Sequence, residues 1–345
     1  MDDIDDELND CVGEVNTENL SPKETERVAE HLLSHDPDDD GYDAARRVFI
    51  PEHPRWRTLI ERSGVTFGPI KHRSKLEERK LVSVISEEDL KALKLRYIPV
   101  SDLDKYVREE LTESTIAWSR NNTVMLVYLK DYIRLAMRND AQKGLDRMVF
   151  PDPTRAETEG ASDFNARLEP AAARAGELLF GFMDWGHIRM ANPSREQEAQ
   201  YSELKPLLRK LNTLFARVLP AQFAEQNRDI PTDFRQFGTA FSTTTILKSA
   251  PASVHKDSGN GLSLTCMTTV GQESSGGEFC LLEYGLRIPV RPGDVLIAAT
   301  CREWHVNLTP VRGTKYSIIC YFRRGLTSPA RLDEWYQRDR KGEGI

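Results

Sequence analysis

The stretch LRIPVRPGDVLIAAT (residues 286–300), with EWHVNLT (303–309) and KYSIICYF (315–322) after it, decides the fold class. Each run is short, rich in β-branched and aromatic residues, and closed by Gly, Pro, Ser or Asn, as the strands of an antiparallel sheet are. Pro292-Gly293-Asp294 reads as a tight turn feeding a strand. Upstream, FGTAFSTTTILKS (237–249), LSLTCMTTVG (262–271) and GGEFCLLEYG (276–285) extend the same texture. Turn residues recur at the spacing of a β-sandwich or barrel, so residues 231–330 are expected to form an all-β core.

The chain before that core reads differently. Leu90, Leu93, Leu95, Leu103, Tyr106, Val107 and Leu111 recur at helical spacing between residues 87 and 111. Residues 122–138 read as a buried helix, although the VMLVY run at 124–128 would serve equally as a strand. A polar linker is expected at 150–163. Helices are expected over 164–184 and 195–226, the second opened by Ser194 with Gln197 three residues on and broken at Pro220. Helices placed before strands predict an α+β class. The expected organisation is an acidic tail (1–45), a mainly helical region (46–230) buttressing the β core (231–330), and a C-terminal tail (331–345).

The net charge of −7 is an average of unlike parts. Residues 1–45 hold sixteen acids and two bases, which leaves 45 bases and 38 acids for the remainder. The acidic block reads as a solvated arm, and the body is modestly basic, so nucleic acid is permitted as a partner. No apolar run is long enough for a membrane helix, and the acidic start MDDIDDELND is unlike a signal peptide, so an intracellular, non-secreted protein is expected. The five cysteines form no CxxC pair, and no P-loop, GxGxxG or HExxH pattern is present.

The chemistry lies in the β region. His255 and Asp257 sit two residues apart, so on a strand both side chains share one face. His305 offers a second imidazole from another strand. Two histidines and one carboxylate form the facial triad that holds Fe(II) with open positions for other ligands. Either histidine alone would pass for an ordinary core or loop residue; the combination gives it weight. Ten residues past His305 comes Lys315, and alternation places Lys315, Ser317, Ile319 and Tyr321 on one face. A cation and a hydroxyl there suit a dicarboxylate. Trp304, beside His305, is expected to face the opposite side and pack in the core.

HKD (255–257), GGEF (276–279), PVRPGDVL (289–296), EWHVN (303–307) and the Lys315-x-Ser317 strand together resemble the double-stranded β-helix, or jelly-roll, of Fe(II)/2-oxoglutarate dioxygenases. The detail is most similar to the TET/JBP-like branch, which oxidises the 5-methyl group of pyrimidines in DNA. The resemblance covers about residues 237–325. It implies Fe(II) on His255, Asp257 and His305, with 2-oxoglutarate as cosubstrate, O2 as oxidant, and ascorbate as a reductant or replacement. Lys315 stands where the family usually has Arg, with Arg312 as the alternative cation and Ser317 as a polar partner. Asn260 matches a polar position near the base, and Arg323 and Arg324 are candidates for DNA phosphate contact. The compartment implied is nucleus or cytoplasm, or the cytosol of a bacterium or phage host. Two alternatives stay open: the same chemistry on a protein side chain or small metabolite, and a non-catalytic β-sandwich binding module.

Overall fold

The computed structural model describes residues 77–98, 100–120, 124–153, 174–184, 187–257, 264–271 and 274–328, together with Leu332. The expected tails at 1–45 and 331–345 therefore fall outside the described residues, apart from Leu332, as does Asn260. Two compact units divide the chain: one whose described part is Lys210–Asp229, and a larger one of Glu77–Arg209 with Ile230 onward. The larger unit carries all the described strands.

Sixteen strands are described there: β1 (Glu77–Lys80), β2 (Glu109–Glu110), β3 (Thr115–Trp118), β4 (Val124–Leu129), β5 (Gly176–Met183), β6 (Arg189–Met190), β7 (Thr243–Lys248), β8 (Ala252–His255), β9 (Thr265–Val270), β10 (Ser275–Gly276), β11 (Phe279–Leu281), β12 (Leu286–Ile288), β13 (Val295–Ala298), β14 (His305–Asn307), β15 (Pro310–Arg312) and β16 (Tyr316–Tyr321). A nine-stranded sheet runs β1-β3-β4-β13-β9-β16-β7-β5-β6, and a five-stranded sheet runs β2-β12-β11-β14-β8. A two-stranded ribbon, β10-β15, completes the set. Pairing is antiparallel except for β1 with β3 and β2 with β12. This interleaving of early and late strands within two sheets is a mixed, jelly-roll-like arrangement.

Alternation sets what each sheet shows on its two faces. Val254, Cys280, Trp304 and Val306 of the five-stranded sheet pack into one apolar cluster with Leu90, Ile98 and Leu103. Trp304 thus packs in the core, as its position beside His305 predicts, with Lys256 Nζ 5.1 Å from its ring. The residues in between, His255, Phe279, Leu281 and His305, face the other way. On the nine-stranded sheet, Tyr201 stacks on Phe180 at 4.0 Å, and its hydroxyl lies 3.0 Å from Thr244 Oγ1. Tyr316 donates to Asp146 on the same side, at 2.8 Å. Ser317, Ile319 and Tyr321 therefore point inward.

The helical expectations need correction. The 87–111 periodicity resolves into a short helix, α1 (Glu87–Ala92), capped by Ser86 Oγ accepting from the Asp89 N–H, and a 3-10 segment at Val100–Lys105. Leu95 has φ +59, and Pro99 cannot continue a helix, so the apolar spacing reports one packing face rather than one helix. Of 122–138, the VMLVYL segment is the buried strand β4, and helix α2 begins only at Leu135 and ends at Asp146. The described part of 164–184 is strand β5. Both strands are covered on two faces, which erases the period-2 alternation that marks half-exposed strands.

The 195–226 helix is four helices: α3 (Pro193–Glu196), α4 (Glu198–Ser202), α5 (Lys205–Val218) and α6 (Pro220–Asp229). The break at Pro220 is real. The Ser194/Gln197 capping box is not: Ser194 Oγ accepts from the Gly181 N–H, and Gln197 bonds both backbone groups of Val149. The described part of 46–230 thus holds more helix than strand, with most of the helix in 193–229, but it also contributes strands β1 to β6 to the two sheets.

The Pro292-Gly293-Asp294 turn forms as expected, with Gly293 at φ +101. Asp294, 2% exposed, accepts from Tyr128 Oη at 2.6 Å, the Asp131 N–H at 2.8 Å and the Arg291 N–H at 2.7 Å. One carboxylate thereby ties β13 to the end of β4. Asp294→Ala would leave those donors unpaired, and a loss of about 3 kcal/mol is expected as a lower urea midpoint.

Candidate metal centre

His255 closes β8 and His305 opens β14, and the two are direct partners across the antiparallel pair. That register brings the imidazole centroids to 4.1 Å. Asp257 lies just past the end of β8 rather than within it, held by its N–H donating to Thr300 O at 3.0 Å. Its Oδ1 is 3.5 Å from His255 Nε2. One ligand atom from each of the three lies within 4.8 Å of the others, so the predicted triad is assembled.

The hydrogen bonds behind the rings decide what the cluster offers. His255 Nδ1 is 2.6 Å from Ser253 O, and His305 Nδ1 is 3.0 Å from Glu303 O. A carbonyl can only accept, so each Nδ1 carries a proton, and Nε2 is the ring atom left to bind a metal once it is free of any proton of its own. Burial, followed by the neighbouring His255, pushes His305 down to about 4, so it is neutral near pH 7. Burial opposes ionisation of Asp257, but hydrogen bonding to His255 and the adjacent imidazoles hold it well below the usual carboxylate range. Two imidazole nitrogens and one carboxylate oxygen suit a divalent ion of the Fe(II) type, and the buried backbone bonds fix the rings before any ion arrives.

Lys315 immediately precedes β16 and is 5% exposed. Its backbone is locked to Ser249 in both directions, through the Ser249 N–H to Lys315 O and the Lys315 N–H to Ser249 Oγ. Its Nζ donates to Gly277 O at 2.6 Å and Pro289 O at 3.4 Å, leaving one of its three protons uncommitted. Gly277 has φ +71, and a Cβ there would come within 3.2 Å of Lys315 Cδ. The second glycine of GGEF is therefore the seat on which the lysine lies.

The remaining predicted residues separate. Ser317 faces inward and is half-buried, like Ile319. Arg312 lies on the exposed part of β15, paired with Ser275, whereas Lys315 reaches the interior. Arg323 is 4% exposed and bonded to Asp184 at 3.4 Å, so the expected role in phosphate contact does not suit it. Arg324 is exposed. Sequence reasoning missed Phe279, whose ring lies 5.2 Å from His305 at 24°. The strand pairing that places it there leaves no mark on the sequence.

Comparison with known proteins places this geometry. Residues 187–324 match the Tet_JBP family model, the oxygenase domain of the 2OGFeDO superfamily. The match starts some fifty residues before the stretch that carried the sequence resemblance, and so includes α3 to α6. The bifunctional helicase and thymine dioxygenase JBP2 of Leishmania tarentolae is 30% identical over 190 residues, 47% of this chain and 17% of that protein. Its Leishmania infantum counterpart is 24% identical over 276 residues, 76% of this chain and 24% of that protein. The chain thus spans about a quarter or less of these relatives. Among solved structures, NgTET1 in complex with 5mC DNA superposes with a TM-score of 0.51 at 13% identity, covering 71% of this chain and 93% of that one. The fold is shared. Among the described residues, no helix is long and apolar enough to cross a membrane.

Proposed function

We propose that this chain is an Fe(II)- and 2-oxoglutarate-dependent dioxygenase that oxidises the 5-methyl group of a pyrimidine, 5-methylcytosine or thymine, in DNA. The observation that carries the reading is the His255–Asp257–His305 cluster with both Nδ1 atoms committed to backbone carbonyls, inside a fold that also buries a lysine ammonium. The Tet_JBP match and the thymine dioxygenases among the relatives support the base as substrate.

In this reading His255 Nε2, His305 Nε2 and the Asp257 carboxylate hold the metal. Lys315 pairs with the distal carboxylate of 2-oxoglutarate through its uncommitted proton, and Ser317 adds a hydroxyl from the same face. When bound, Fe(II) with 2-oxoglutarate and O2 supplies an oxidant able to attack a methyl C–H bond. The chain's own residues bind and orient. Ser253 and Glu303 carbonyls hold the ring tautomers, Phe279 covers one face of His305, and the apolar cluster behind Trp304 keeps that side of the sheet dry. Ascorbate serves as a reductant. A base in duplex DNA reaches such an interior only when flipped from the stack. Arg324 is the exposed cation for the DNA backbone, and Asn260 the polar contact for the base. The protein works inside the cell, where its DNA is.

Succinate formation by the Fe(II)-loaded protein tests the reading. Oligonucleotides carrying 5-methylcytosine or thymine should stimulate it several-fold over oligonucleotides lacking both. Stimulation by peptides and none by DNA would move the substrate to protein.

A further inference from the structure

Three rungs of the β11–β14 pairing define a line across the interior. Leu281 pairs with His305 and Phe279 with Asn307. The next rung is set by the Gly277 N–H donating to Thr309 O at 3.1 Å. His305 belongs to the metal cluster at one end, and the Lys315 ammonium sits on Gly277 O at the other. The outer rungs are four residues apart, about 13 Å along a strand. The middle rung is Phe279 and Asn307.

Alternation turns both middle residues to the face that carries His305. Phe279 is 2% exposed and lies against the His305 ring. Asn307 is only half-buried, and its amide makes no hydrogen bond with any described residue. The amide is open to solvent and has no partner among the described residues, so it is available to a molecule that enters beside the metal ligand.

We propose that Asn307 and Phe279 form the seat for the middle of the dicarboxylate. The Asn307 amide N–H donates to the 2-oxo-acid end next to the metal, and the Phe279 ring lies beneath the methylene groups. This inference rests on the 2-oxoglutarate reading given above. An amide donor adds no charge beside Asp257, so it can hold the anionic end without changing the proton state of the ligands. Asn307 is a positioning residue on this account, and its contribution goes to oxo-acid affinity rather than to metal affinity.

The test uses full-length protein loaded with Mn(II) under anaerobic conditions, with 2-oxoglutarate binding read by calorimetry. Asn307→Ala should weaken binding about tenfold, the value of one hydrogen bond to a charged group. Asn307→Asp should weaken it further through repulsion, and Mn(II) affinity and thermal midpoint should hold in Asn307→Ala. With pyruvate, which lacks the distal carboxylate, the loss in Asn307→Ala should persist, whereas the loss in Lys315→Met should vanish. Unchanged 2-oxoglutarate affinity in Asn307→Ala overturns the inference alone. Loss of Mn(II) binding in Asn307→Ala overturns it as well, by assigning Asn307 to the metal shell. Absence of any 2-oxoglutarate binding by the wild type overturns both this inference and the reading beneath it.

Discussion

Asp257→Ala is expected to abolish 2-oxoglutarate turnover while leaving the fold in place. Asp257 is the anionic member of the cluster, and without it two neutral imidazoles must hold a divalent ion alone. The expected loss is about a thousandfold or more in turnover, equivalent to at least ~4 kcal/mol of transition-state stabilisation. Metal affinity, read by titration with Mn(II), should fall in parallel. The backbone bond from Asp257 N–H to Thr300 O does not involve the side chain, so the end of β8 stays where it is. Circular dichroism should therefore match the wild type. His305→Ala should behave alike for metal, but it also opens a space against Phe279 and His255 and should lower the melting temperature further. Full turnover in either variant would remove the metal assignment.

Lys315→Met should raise the 2-oxoglutarate requirement by about a hundredfold, because it keeps the length of the stem and deletes one partner of a buried charge pair. The carbonyls of Gly277 and Pro289 lose their donor in the same step, so some loss of stability accompanies it. A pH dependence follows from the same burial. Desolvation pushes Lys315 down to about 8, against the opposing pull of Glu278 and Asp294. Below that value the ammonium is charged and attracts a carboxylate; above it the amine is neutral. The apparent affinity for 2-oxoglutarate should therefore fall as pH rises through about 8. Lys315→Arg should keep affinity and lose this dependence, since a guanidinium stays charged throughout. A flat profile in the wild type would place the cosubstrate cation elsewhere.

How much of this was legible in the sequence differs by element. The β region was readable because β7 to β16 are short and punctuated by turns that need particular residues, Gly293 and Gly277 among them. The triad was readable because a strand fixes the direction of neighbouring side chains, although Asp257 in fact lies past the strand and is placed by Thr300. What was not settled was β4, open between helix and strand, and what was missed was β5. Their residues are apolar at nearly every position because both faces are covered, and such a run has no period to read. Arg323 failed for a different reason. Its partner Asp184 is 139 residues away, and no local pattern announces a long-range ion pair. Asn307 and Phe279 are visible only as partners across the β11–β14 pairing.

The most direct measurement is mass spectrometry of nucleosides from methylated DNA incubated with the protein, Fe(II), 2-oxoglutarate and O2. The expected product is an oxidised 5-methylpyrimidine nucleoside, formed in step with succinate and absent in Asp257→Ala. Succinate without any oxidised nucleoside, from DNA containing both thymine and 5-methylcytosine, would contradict it.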